Sequence, residues 1–148
     1  MPTKALEIAL AFIKRWEGCE LKAYSDQGGR VTIGWGHTGG VQLGTTWTQA
    51  YADEQLQEDL GRTMAQVIGV VKVPINANQL AALLSFTFNL GVGNLVRSGL
   101  LKSLNLRKYE DAANQFPLWN HIGMYASLGL TNRRNAEKAL FMEPSNES

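Results

Sequence analysis

One short stretch interrupts a chain that otherwise reads as helix. From Leu21 to Leu43 the sequence is rich in glycine and β-branched residues, while apolar residues on either side recur at helical spacing. Gln27, Gly28, Gly29 and Arg30 mark a turn between two short strands. Val31, Ile33, Trp35 and His37 then alternate with Thr32, Gly34, Gly36 and Thr38, the period-2 pattern of a strand with one small, polar face. Gly39 and Gly40 mark a further turn. A sheet of two or three such strands cannot stand alone, so it must lean on helices. That requirement selects an α+β architecture.

The helices follow from spacing. Leu6, Ala9, Leu10 and Ile13 form one stripe, with Gly18 placed to stop the helix. Thr46 and Gln49 match a capping box. Leu56, Leu60, Met64, Val67 and Val71 lie on one face of a long helix ending before Pro74. Asn76 and Gln79 match a second box, opening a Leu- and Phe-rich helix that runs to Gly91. Shorter helices are expected near 98–104, 109–116 and 131–141, with Pro117 ending or kinking the second. The tail 143–148 reads as frayed. The expectation is a single domain over 1–148: a sheet lobe at about 17–55, a helical lobe from 1–16 and 75–148, and a connecting helix at 56–73. A cleft between lobes is the default binding site.

Charge and cysteine content narrow the function. Fourteen basic and 13 acidic residues give a net charge of +1, which provides no global field for nucleic acid. Residues 95–138 are locally basic, with seven basic and three acidic side chains, as an anionic partner would prefer. The single cysteine, Cys19, allows no internal disulfide and reads as a packing residue. With two histidines and no spaced third ligand, neither metal nor cofactor is expected. No apolar run approaches the ~18 residues of a membrane span, and the N-terminus resembles a helix more than a signal peptide. Synthesis in the cytoplasm without stable membrane insertion is the expectation.

Two carboxylates in contrasting settings carry the chemistry. Glu17 follows Leu6 by eleven residues, which at ~100° per residue returns it to within about 20° of the apolar stripe. It should sit on the buried side of the last turn, where desolvation and the negative end of the helix dipole favour a proton. Such a group can serve as a general acid. Asp26, in a Gly-rich turn, should stay solvated and ionised. Glycoside hydrolysis uses such a pair: one carboxyl protonates the leaving oxygen, the other activates water or stabilises positive charge on the sugar. A five-residue loop, 27–31, would place Thr32 opposite Asp26, ready to hold that water. A tighter turn would pair Asp26 with Val31 and send Thr32 to the other face. Gly34 and Gly36 would leave room for a bulky polymer. A Glu at a helix end and an Asp in a turn are each common, so the pair alone is only a suggestion.

The wider pattern adds to it. Glu-Gly-x-x-Leu-x-Ala-Tyr-x-Asp from Glu17, then Thr-Ile-Gly-Trp-Gly-His-Thr from Thr32, resembles the phage-type lysozyme or endolysin family, glycoside hydrolase family 24. The resemblance runs from about Leu6 to Phe141. It takes in Gln79–Gly91, Ser98–Asn105, Tyr109–Trp119 and the Arg133-Arg134-x-Ala-Glu137 run. It implies a lysozyme-like fold and hydrolysis of the β-1,4 bond between N-acetylmuramic acid and N-acetylglucosamine in bacterial peptidoglycan, lysing the host cell. Carried over residue by residue, Glu17 is the general acid, Asp26 the second carboxylate and Thr32 the water-positioning hydroxyl. His37 takes a supporting, structural place. Arg133 (with Arg134 as rival) is the arginine that in the family reaches the catalytic Glu. Phe88, Ser98 and Gln115 fall at substrate-contact positions. The resemblance further implies a monomer that reaches the wall after release through a holin-type membrane lesion. Residues 121–130 depart from the family's Gly-Gly-Lys-containing loop. Two rival readings remain: a lytic transglycosylase, which needs the acid but neither Asp26 nor Thr32, and a catalytically dead wall-binding domain.

Overall fold

The computed structural model describes residues 2–145, so the last three residues of the expected frayed tail lie outside the described residues. By internal contacts the chain divides into two compact units, residues 10–62 and residues 1–9 with 63–148. Helix α1 (Pro2–Trp16) and helix α2 (Gln49–Val70) each contribute to both.

The first unit holds a three-stranded antiparallel sheet in the order β1 (Glu20–Ser25), β2 (Val31–Gly34), β3 (His37–Thr38). The run expected as one strand over Val31–Thr38 is therefore two. Gly34 and Gly36 adopt φ of +67° and +85° and turn the chain between them. Only glycine enters that region at little cost. Pairing of Tyr24 with Thr32 and Ser25 with Val31 sets the β1–β2 register. The far edge of β1 is covered too, because Ala23 N–H donates to Thr45 O at 2.9 Å and Trp47 N–H to Leu21 O at 2.8 Å. Thr46 sits in this bridge, opposite Lys22, so it does not cap α2. The cap is Thr48, whose hydroxyl accepts from Tyr51 N–H at 3.1 Å.

The second unit is helical. Helix α3 (Ala77–Leu90) opens with the expected capping box: Asn76 accepts from Gln79 N–H and Gln79 from Asn76 N–H. Its Leu80, Leu83, Leu84 and Phe86 are buried. Helices α4 (Val92–Arg97), α5 (Gly99–Asn105) and α6 (Tyr109–Gln115) follow, then a 3-10 turn over Phe116–Leu118 where Pro117 prevents α6 from continuing. Phe86 meets Phe116 and Trp119 edge-on, both at 5.7 Å between ring centres. A small hairpin, β4 (His121–Ile122) with β5 (Tyr125–Ala126), leads into α7 (Leu128–Met142), which packs along α3.

Charge is buried in this unit. Glu137, Arg134 and Arg133 on α7 are at most 4% exposed. Glu137 faces Arg134 Nε at 2.6 Å and Nη2 at 2.8 Å, accepts from the Ser85 hydroxyl at 2.5 Å, and lies 3.4 Å from Arg133 Nε. Burial pushes its carboxyl above the ordinary carboxylate value, against the pull of Arg134, Ser85 and Arg133. Arg133 also donates to Ser85 O at 3.3 Å.

Candidate active site

Glu17 lies one residue beyond α1, half-buried, with its N–H still donating to Ile13 O at 2.9 Å. The buried side of α1 is formed by Ala5, Ala9, Phe12 and Ile13, so the helix is turned slightly from the expected Leu6–Leu10 stripe. A methyl group on Gly36 would come 3.5 Å from Glu17 Oε1. The carboxyl thus rests beside the bare β2–β3 turn. Gly34 works differently from the expectation that it leaves room for substrate. The Trp47 ring occupies its side-chain space, 2.9 Å from where a Cβ would stand.

A polar clamp keeps this arrangement in place. Asp53 Oδ1 accepts from Trp35 Nε1 at 2.8 Å and from Gln49 Nε2 at 3.0 Å, and lies 3.6 Å from Lys14 Nζ. Lys14 is one helical turn before Glu17, and Trp35 is the neighbour of Gly36. One carboxylate therefore ties the end of α1 to the turn that faces Glu17. These bonds, led by that from Trp35, hold the Asp53 carboxyl below its ordinary value.

Asp26 closes the hairpin with its own side chain. Its Oδ1 accepts from Gly28 N–H at 2.9 Å and Arg30 N–H at 2.8 Å, and its backbone N–H donates to Arg30 O at 2.9 Å. The loop is thus the three residues Gln27–Gly29, with Gly29 at φ +80°. This corrects both expected registers: Asp26 is opposite Arg30, and Thr32 is opposite Tyr24. Asp26 and Thr32 still share a face, as diagonal neighbours roughly 7 Å apart by antiparallel geometry. Thr32 is 4% exposed and its hydroxyl donates to Arg30 O at 3.1 Å. Asp26 is exposed, and among the described residues its Oδ2 accepts no hydrogen bond.

Tyr24 went unassigned in the sequence. Partial burial first, then the charges of Glu20, Asp26 and Glu17, hold its phenol above the ordinary tyrosine value. Glu17 and Asp26 therefore act on one electrostatic neighbourhood. The available signal was the spacing of Tyr24 two residues before Asp26, which puts both on one strand face.

The other expected site residues are placed as follows. His37 Nδ1 is 2.7 Å from Asp59 Oδ2, and Arg62 pairs with the same carboxylate. Ser98 caps α5: 3% exposed, it donates to Leu95 O at 2.6 Å and accepts from Leu101 N–H at 3.0 Å. Gln115 is half-buried with Oε1 laid over Gly99, 2.8 Å from where a Cβ would stand. Phe88 is half-buried on α3. Among the described residues no group of three or more His, Cys, Asp or Glu could hold a metal ion.

A family model for phage lysozyme matches residues 14–137, which takes in Glu17, Asp26, Thr32 and the whole β-sheet. The chain belongs to the phage lysozyme family. Among its relatives, the endolysin of Acyrthosiphon pisum secondary endosymbiont phage 1 is 42% identical over 139 residues, covering 91% of this chain and 95% of the relative. The endolysin of Salmonella phage P22 is 43% identical over 135 residues, covering 88% and 92%. Among solved structures, the muramidase domain of SpmX from Asticaccaulis excentricus superposes with a TM-score of 0.86 at 33% identity, covering 92% of this chain and 95% of that one. As a phage lysozyme the chain is a lysozyme-type glycoside hydrolase that acts on peptidoglycan, and its fold is lysozyme-like α+β.

Proposed function

We propose that Glu17, Asp26 and Thr32 carry hydrolysis of the β-1,4 bond between N-acetylmuramic acid and N-acetylglucosamine. The observation behind this reading is the hydrogen-bond state of the hairpin. Asp26 Oδ1 is held by two backbone N–H groups, which fixes the carboxylate and leaves Oδ2 to receive a proton. The Thr32 hydrogen is engaged by Arg30 O, so toward a water this hydroxyl acts as acceptor. A water donating one hydrogen to Asp26 Oδ2 and one to Thr32 Oγ1 keeps a lone pair for the anomeric carbon. Glu17 gives its proton to the leaving glycosidic oxygen as that bond breaks, and Asp26 takes the proton released by the attacking water. Single displacement by water inverts the anomeric centre.

Turbidity clearing of outer-membrane-permeabilised cells tests the acid. Glu17→Gln, with an unchanged circular dichroism spectrum, should lower the clearing rate by roughly 10²–10⁴-fold. A variant that clears at the wild-type rate removes Glu17 from the mechanism. We further propose a monomer that gains the wall through a holin-type lesion. Expression with and without a co-expressed holin checks this, with lysis expected only in its presence.

A further inference from the structure

Glu17 stands at a weak point of the chain. It follows the last residue of α1 and precedes Gly18, where an added methyl group would meet nothing within 4 Å. Helix ends fray, and a side chain that must be placed to a fraction of an ångström there needs support from other elements. Helix α2 supplies it around three neighbours of the acid. Asp53 pairs at 3.6 Å with Lys14, three residues before Glu17. Gln49, one helical turn before Asp53, donates to Asp53 Oδ1 at 3.0 Å and brings the same Nε2 to 3.6 Å from the sulfur of Cys19, two residues after Glu17. Trp35 Nε1 donates to Asp53 Oδ1 at 2.8 Å, and the next residue, Gly36, is the one beside Glu17 Oε1. The Lys14 ammonium also stands 5.4 Å from the centre of the Trp35 ring.

Resting on the reading of Glu17 as the acid, we propose that Asp53 is a positioning residue for the hydrolysis: through the Trp35 indole it fixes the Gly36 turn against Glu17, and so sets the turnover rate rather than substrate affinity. The contacts differ in strength, and the difference selects the route. The indole bond is short and has an ionised acceptor, so it is of the strong, charge-assisted kind. The Lys14–Asp53 pair has side chains 39% and 38% exposed, where water and salt leave little of its energy. The sulfur of Cys19 is a weak acceptor. Asp53 needs no contact with the glycan for this role. Its effect is on geometry at the step where the proton is given, and a small displacement there costs rate.

Initial rates of sugar release from solubilised peptidoglycan, at a temperature where circular dichroism shows every variant folded, test the proposal. Asp53→Ala should lower kcat roughly tenfold with KM unchanged. Asp53→Asn keeps an acceptor for the indole and should retain most of the rate. Trp35→Phe removes the indole N–H while leaving a ring beside Lys14, and it should lower kcat as Asp53→Ala does. The double variant Trp35→Phe/Asp53→Ala should be no slower than the slower single, because both break one link. Thr48→Ala, which removes the cap of α2 without touching Asp53, should melt lower yet keep the wild-type kcat. Wild-type kcat in Asp53→Ala overturns the proposal, as does a loss that appears in KM alone. Asp53→Asn as slow as Asp53→Ala, or single effects that multiply in the double variant, overturns the route through Trp35. A Thr48→Ala as slow as Asp53→Ala assigns the effect to stability and overturns it too. If Asp53→Ala does not fold, Trp35→Phe carries the test, and wild-type kcat in that variant overturns the proposal. Clearing by Glu17→Gln ends the parent reading, whereas wild-type kcat in Asp53→Ala beside an inactive Glu17→Gln ends this inference alone.

Discussion

The two units hold carboxylates in opposite ways. Residues 10–62 carry seven acidic and five basic side chains, and none of Asp26, Asp53 and Asp59 is fully buried: backbone N–H groups hold the first, Trp35, Gln49 and Lys14 the second, His37 and Arg62 the third. Residues 1–9 and 63–148 bury a carboxylate outright and surround Glu137 with two guanidinia and a hydroxyl. A group that must exchange protons with substrate needs fixed geometry and access. A group that holds helices together needs neither access nor exchange. In the proposed mechanism Glu17 and Asp26 therefore serve chemistry in one unit, while Glu137 serves structure in the other.

The same chemical change in each unit breaks the comparison most sharply. Glu137→Gln removes the charge that Arg133 and Arg134 share, so urea unfolding should show a loss of roughly 3–5 kcal/mol. Glu17→Gln, at a half-exposed position, should move stability by less than about 1 kcal/mol while stopping lysis. Equal stability losses would mean that Glu17 is also a structural charge.

A pair of glycines gives a smaller effect. Gly36 (φ +85°) and Gly39 (φ +93°) are both in the left-handed region, but only Gly36 faces Glu17. Each substitution by Ala should cost roughly 1–2 kcal/mol in thermal unfolding. Only Gly36→Ala should also slow clearing, by roughly tenfold, because the strained turn that shifts to accept the methyl lies beside the acid. Matching activities for the two variants would detach Glu17 from the turn.

The smallest effect is in pH dependence. Because the folded Asp53 carboxyl lies below its ordinary value of 3.8, its contribution is present above that pH and lost as pH falls through the folded value. Asp53→Asn should therefore melt lower than wild type above about pH 4 and lose less on further acidification. Melting curves between pH 5 and 2 check the sign.

How far the sequence was legible follows the same division. Helix stripes and caps are local, and Asn76–Gln79 and the stripe Leu56, Leu60, Val67 stand as read. The hairpin register was open because Asp26's own side chain shortens the loop, a contact that alternation does not encode. The Val31–Thr38 run concealed a turn because two of its alternating small residues are left-handed glycines. The β4–β5 hairpin gave no strand signal, since two-residue strands have no period to detect. The buried Arg134–Glu137 pair sits at i, i+3 spacing, which on a sequence looks like a solvated helix face.

Mass spectrometry of fragments released from purified peptidoglycan tests the central claim most directly. The account predicts reducing-end muramyl products from wild type and none from Glu17→Gln or, at comparable protein, far fewer from Asp26→Asn. Anhydro-sugar ends from wild type, or full product from Asp26→Asn, would contradict a water held by Asp26 and Thr32.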